Sequence, residues 1–256
     1  MTSSLGLLII GDEILSGKRQ DKHFARVREI VAARGLKLAR VTYLGDDRTR
    51  LTAFLRDSFA GDGILFSCGG IGATPDDHTR QAAAAALGVP LLLHPEAEAL
   101  ITGRSLEVGL PATPGRLQMG EFPQGAALIP NPVNHIPGFS IRRHHFVPGF
   151  PEMAWPMIEW VLDTHYRDLF HSQVEAERAM IVRGQAEATL TPLMLEIERE
   201  YPGIKVFSLP ILNLQQPDDY KIELGVKGAA TSVEAAFGCL RDGTVALGGH
   251  IEDDGR

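Results

Sequence analysis

The chain opens with a continuous apolar run, LGLLII at residues 5–10, that stops at Gly11. An apolar run of this length without polar alternation is the pattern of a strand covered on both faces. Asp21 then offers an N-cap, Phe24, Val27, Ile30 and Val31 recur at helical spacing, and Gly35 suits the position just past a helix end, so a helix is predicted over 21–35. LKLARVTYL at 36–44 alternates apolar and branched residues and predicts a second strand. Gly45, Asp46 and Asp47 break it, and Leu51, Phe54, Leu55 and Phe59 outline a second amphipathic helix. GILFS at 63–67 predicts a third strand, and Asp77–Leu87 an alanine-rich helix closed by Gly88. Strands alternating with helices of these lengths imply a parallel sheet with right-handed crossovers and helices on both faces, an α/β architecture.

The pattern loosens over residues 103–151, where Pro and Gly are frequent and only ALI at 127–129 and SIRRHHFV at 140–147 look extended. Glu152–Tyr166 is again helical, with Met153, Met157, Ile158, Val161 and Leu162 on one face. After Arg167 the order changes. RAMIVRG, IKVFSLPI and YKIELGVKG read as strands, Ala188–Tyr201 and SVEAAFGCLRDG as helices, and TVALGGHI as a last strand. The order β-α-β-β-α-β is that of a ferredoxin-like unit. Two domains are therefore expected: a larger α/β domain over 1–167 and a small α+β domain over 175–256.

Composition narrows the partners. A chain of 256 residues with 44% hydrophobic content can bury a substantial core, and its net charge of −7 argues against a nucleic-acid or anionic-membrane surface. Arg142, Arg143, His144 and His145 form the only local basic cluster. The two cysteines, Cys68 and Cys239, are too far apart in sequence to suggest a metal pair or a disulfide framework, and a reducing cytoplasm is expected. The amino-terminal apolar run is short, lacks a basic flank and meets Asp12 and Glu13 at once, unlike a signal peptide. No apolar stretch approaches the roughly 20 residues that span a bilayer.

Ligands of an open parallel sheet bind beyond the carboxyl ends of its strands, where GDEILSG and CGGIGATPDDHT fall. Gly69, Gly70 and Gly72 remove side chains where a backbone could approach a phosphate, and the helix that follows offers free N–H groups and a positive dipole end. Taken alone, the stretch reads sooner as a tight turn with Asp76 or Asp77 as cap than as a phosphate loop. Gly11 to Gly17-Lys18-Arg19 is not a P-loop, because the spacing is wrong and Arg19 replaces the hydroxyl residue that would hold magnesium. Acids beside a phosphate site make sense chiefly as ligands of a divalent cation, and Asp12, Glu13, Asp46, Asp76 and Asp77 are the candidates; Asp46 reads better as a turn residue. His144 and His145, adjacent in a strand, cannot both face one metal. Ser140 lacks the second glycine of a nucleophile elbow, and Cys68 reads as a buried small apolar residue.

GDEILSG, TYLGDD, CGGIGATPDDHT, Asn131-Pro132, PGF at 137–139 and VPGFPEM, taken in order, resemble the competence/damage-inducible protein A family over about residues 5–165. The large domain of that family has the molybdopterin-binding fold. The resemblance implies a mostly parallel molybdopterin-binding-type sheet, followed here by the family's small linker domain and not by its amidase domain. By position, Gly69, Gly70, Ile71, Gly72, Thr74, Asp76, Glu13, Asn131 and Pro132 would hold substrate, while Asp77 and Asp12 would be catalytic and hold the metal. The implied activity is a pyrophosphatase dependent on magnesium, manganese or cobalt, acting on ADP-ribose or a similar nucleotide diphosphate, in a homo-oligomer. Non-hydrolytic binding of molybdopterin or a nucleotide, and a structural oligomer with a vestigial pocket, stay open beside it. The chain departs from the family at Ala73 for a usual Pro, His23 for a common Asn, Asn134 and Ile136 for small residues, and a VPGFPEM one residue short.

Overall fold

The computed structural model describes residues 4–172, 175–211 and 220–252. They divide into two compact units, one up to His171 and one from Ser172.

The first unit runs β1 (Leu5–Ile10), α1 (Asp12–Leu15), α2 (His23–Ala32), β2 (Leu38–Leu44), α3 (Arg48–Phe59), β3 (Ile64–Cys68), α4 (Thr79–Leu87), β4 (Leu91–Leu93), α5 (Pro95–Glu107), α6 (Pro114–Leu117), β5 (Glu121–Pro123), β6 (Ala127–Ile129), β7 (Gly138–Ile141), β8 (His144–Val147) and α7 (Pro151–His165). Its main sheet has the order β2-β1-β3-β8-β7-β6. The pairs β1 with β2, β1 with β3 and β3 with β8 are parallel, whereas β7 and β6 close that side antiparallel.

Strand β1 is buried along its whole length because both faces are covered. Leu5, Leu7 and Ile9 point into a core with Val27, Ile30 and Val31 of α2 and Met157, Ile158, Val161 and Leu162 of α7. Leu8 and Ile10 point the other way, against Leu51 and Leu55 of α3, Ala82 and Ala83 of α4 and Phe122 of β5. The strand period of two thus builds a helix–sheet–helix sandwich, and the alanine run at 82–86 is short in side chain where α4 lies close to α3.

Several boundaries differ from the pattern for physical reasons. SIRRHHFV is not one strand but the hairpin of β7 and β8, turned at Arg142 with φ 52°. α5 holds residues up to Glu107 that looked loose; its apolar face is narrow, with Ala97, Ile101 and Ser105 buried. The helix α2 starts at His23, yet Asp21 still serves its end, its carboxylate accepting from the N–H groups of His23 at 2.7 Å and Phe24 at 3.2 Å.

The second unit runs β9 (Glu175–Arg183), α8 (Glu187–Glu200), β10 (Lys205–Ile211), β11 (Lys221–Ala229), α9 (Ala230–Ala246) and β12 (His250–Glu252). Its antiparallel sheet has the order β10-β11-β9-β12, the ferredoxin-like arrangement. Met180 and Val182, with Ile222, Leu224 and Val226, pack under Leu190 and Ile197 of α8 and Val233, Ala236 and Leu240 of α9. The expected last strand over 244–251 is mostly helix: α9 continues to Ala246, and only His250–Glu252 pairs with β9. Among the described residues no helix is long and apolar enough to cross a membrane.

Candidate functional site

The carboxyl ends of the four parallel strands β1, β2, β3 and β8 open onto one cleft of about 850 Å³. Each strand supplies a loop. Gly11, Asp12 and Glu13 follow β1, Asp46 follows β2, Gly69–Thr74 with Asp76 and Asp77 follow β3, and Pro148, Gly149 and Phe150 follow β8. Asn131, Asn134, Ile136 and Pro137, from the connection between β6 and β7, complete one wall with Met119 and Met153.

The glycines are required by the loop itself. Gly69 has φ 109° and Gly70 φ 68°, backbone conformations that side chains disfavour. A Cβ on Gly69 would meet the carbonyl oxygen of Ile10, and one on Gly70 would meet the hydroxyl of Thr79. One on Gly72 would meet the Asp77 carboxylate. The buried Thr79 sews the loop to α4: its Oγ1 donates to Gly69 O at 3.0 Å, and its N–H donates to Gly70 O at 2.9 Å. The glycines were expected to clear space for a phosphate; in the structure they let the loop fold against β1 and α4.

Asp77 does not cap α4. The helix begins at Thr79 after His78, and no side chain caps its first turn. Instead Asp77 Oδ2 accepts from the N–H of Thr74 at 2.8 Å and from its hydroxyl at 2.5 Å, while the N–H of Asp77 donates to Thr74 O at 3.0 Å. Residues 74–77 form a closed turn, which takes up the length that a longer helix would have used.

Asp12 and Asp46 clasp each other across the loops after β1 and β2. The N–H of Asp12 donates to Asp46 Oδ2 at 2.8 Å, and the N–H of Asp46 donates to Asp12 Oδ1 at 3.3 Å. Burial pushes the Asp46 carboxyl above its ordinary value; the N–H of Asp12 pulls it back, and the charges of Asp12, Glu13 and Asp76 add to the rise. Asp46, read from the sequence as a turn residue, is thus part of a concentration of negative charge. Lys18 and Arg19 are the cations of the lining, and the sequence reading had not assigned them to the site.

Asn131 lines the cleft but is buried and engaged, with Nδ2 donating to Ile136 O and Oδ1 accepting from the N–H of Val133, both at 3.0 Å. It shapes the wall. Pro132, expected to hold substrate, is exposed and does not line the cleft, because the turn built on Asn131 directs it outward. His23 lies beneath the site, its Nε2 within 3.1 Å of Gly149 O, and burial lowers its pKa. Cys68 is fully buried at the end of β3 with its thiol pushed up by burial, as befits an inert core residue.

His144 and His145 go to opposite sides of β8. His144 Nε2 lies 2.8 Å from Ser58 Oγ, whereas His145 Nδ1 lies 2.8 Å from Ser140 Oγ and its Nε2 2.7 Å from Tyr166 OH. Neither lines the cleft.

Residues 6–167 match the family model described as a probable molybdopterin binding domain. The chain therefore belongs to that family. It is 36% identical over 197 residues to a CinA-like protein of Anaeromyxobacter sp., covering 73% of this chain and 48% of the relative. A CinA-like protein of Geobacter metallireducens is 28% identical over 257 residues, covering 96% of this chain and 60% of the relative. These CinA-like proteins are thus longer than the matched region. A protein of Caldivirga maquilingensis is 28% identical over 243 residues and matched over 92% of each chain. The first unit shares its fold with the crystal structure of CinA from Thermoplasma acidophilum, described as of unknown function, at TM-score 0.57 and 24% identity over 63% of this chain and 97% of that one.

Proposed function

We propose that the cleft holds the diphosphate of a nucleotide on the loop after β3 and that the chain hydrolyses that diphosphate, with ADP-ribose as the model substrate and a divalent cation as helper. The observation that carries this reading is the meeting, in one nucleotide-sized cleft, of a glycine loop leading to a helix start, two cations and a bank of carboxylates. Backbone N–H groups of the glycine loop and the side chains of Lys18 and Arg19 would take the non-bridging phosphate oxygens. The wall of Met119, Ile136, Pro137, Phe150 and Met153 would take the nucleoside.

The donor set fits one kind of metal site. Among the described residues no three His, Cys, Asp or Glu side chains gather as a cage. Magnesium does not need one: it is commonly held by one or two carboxylates together with substrate phosphate and water. Asp12 and Asp77 each have one carboxylate oxygen tied to a neighbouring N–H, and the other, Asp12 Oδ2 or Asp77 Oδ1, is the oxygen each would offer magnesium, manganese or cobalt. Such an ion would neutralise charge developing on phosphate and make a bound water more acidic. The chain's own part is to hold the diphosphate in line and to keep the water beside it, with Thr74 and Asp77 fixing the loop and Asp12 and Asp46 fixing the opposite rim. Water adds to one phosphorus and the bridging P–O bond breaks, giving AMP and ribose 5-phosphate.

Turnover tests this. ADP-ribose incubated with the chain and magnesium, manganese or cobalt should yield AMP, and Asp12→Asn, which keeps an oxygen for the N–H of Asp46, should lower the rate at least ~100-fold, the scale of losing a charge-stabilising group. Binding of ADP-ribose or molybdopterin without turnover under all three metals would instead make the cleft a holding site. No binding of any of these would leave only an assembly role.

A further inference from the structure

Arg80 is 1% exposed and lies at the second position of α4, directly behind the glycine loop. Its partners among the described residues are backbone carbonyls: NH2 donates to Gly72 O at 2.6 Å, and NH1 donates to Gln118 O and, at 3.4 Å, to Glu121 O. Nε is buried with no partner. The charged groups that face it are Asp77 and Glu121, whose carboxylates favour its charge from beyond ion-pair contact, while burial works against that charge. A guanidinium is essentially never deprotonated, so a full positive charge is held out of water with only backbone dipoles in direct contact with it. It also sits in the first turn of a helix, where the macrodipole already presents positive charge and where an acid would be the stabilising choice.

Both features are costly to the folded chain and both place positive potential at the same loop. We propose that Arg80 is a positioning residue for the anion site: its buried charge, transmitted through Gly72, makes the loop prefer ligands of higher negative charge, diphosphates over monophosphates. The same side chain ties Gly72 to residues 118–121 and so sets Met119 at the cleft wall. The inference rests on the phosphate reading of the cleft and adds a source of selectivity within it. Arg80 need not touch the ligand, because a charge buried in low dielectric acts across several ångströms with little screening.

Calorimetric titration of the full chain with ADP and AMP, in magnesium-free buffer containing EDTA so that ADP carries the larger negative charge, tests it with Arg80→Met and Arg80→Lys. Arg80→Met keeps the length and removes the charge; ADP affinity should fall by about tenfold and AMP affinity by only about threefold, while Arg80→Lys stays within about threefold of wild type for both, since Coulomb attraction scales with ligand charge. Equal losses for ADP and AMP, or a lysine variant as weak as the methionine one, would mean that Arg80 acts by packing alone and would overturn the proposal. Should Arg80→Met fail to give a cooperative thermal transition, Arg80→Gln, which retains an N–H for Gly72 O, serves the same comparison. A wild type that binds neither nucleotide would overturn the phosphate reading itself, whereas a wild type that binds with Arg80→Met unchanged would overturn only the role of Arg80.

Discussion

At the scale of single residues, Gly70 and Asp77 show how a motif can mark a site and still hide its mechanics. Gly70 is in the left-handed region and faces the Thr79 hydroxyl, so Gly70→Ala adds backbone strain and a clash at a buried threonine. The expected outcome is a loss of about 2–4 kcal/mol in denaturant unfolding, with ligand affinity lost as well. Thr74→Val removes one of the two Thr74 donors to Asp77 on an exposed turn. Its stability should change by about 1 kcal/mol or less, while turnover, on the proposed mechanism, falls because the Asp77 carboxylate is then held by the N–H of residue 74 alone. Equal turnover in Thr74→Val and wild type would show that the turn has no part in the site. The positions of these residues were legible because their types and spacing carry the motif. The tie from Asp77 back to Thr74 was not, since an acid just before a helix has the same signature whether it caps or closes a turn. Arg80 was not legible at all: only tertiary packing tells a buried arginine from a solvated one on an exposed helix face.

Elements add a second lesson through β8. Its two histidines were expected to face opposite ways, and they do, one to Ser58 and one to Ser140 and Tyr166. Burial is the main cause that lowers both, His144 to about 4 with help from Arg142 and Arg40, and His145 to about 3 with help from His165 and neighbouring charges. Both are therefore neutral in the folded chain at neutral pH and protonate first in the unfolded chain. Stability is complete above the unfolded value near 6.5 and is lost as pH falls towards 4, by roughly 2 kcal/mol per histidine at pH 5. Denaturant midpoints measured from pH 7.5 to 4.5 should fall accordingly, and His145→Gln should flatten its share of the slope; a pH-independent midpoint would contradict the buried neutral state. The strand run through 140–147 hid its turn because Arg142 and Arg143 are not turn formers, and the hairpin is closed by a positive φ that the residue type does not announce. Helix α5 was missed for the opposite reason, its buried face being only three residues wide.

The whole chain is two units, each with its own core. The strand and helix order of the second unit foretold its sheet, because a β-α-β-β-α-β chain has few ways to close an antiparallel sheet under two helices. The division between units falls after His171, close to where the apolar pattern changes at Arg167. Every residue of the cleft lies in the first unit, so a fragment ending near 171 should unfold cooperatively and bind ADP-ribose within about threefold of the full chain. A fragment that folds but does not bind would place part of the site elsewhere. The placement of the cleft followed from strand order alone, whereas its chemistry needed the loops after all four parallel strands to be seen together. That chemistry is tested most directly by a crystal structure of the chain with ADP-ribose and a non-catalytic divalent ion such as calcium. The expected result is the diphosphate against the N–H groups of residues 70–73, the adenine or ribose on the wall of Phe150 and Met153, and the ion touching Asp12 or Asp77. A diphosphate bound away from the loop after β3, or an ion held by neither acid, would contradict the account.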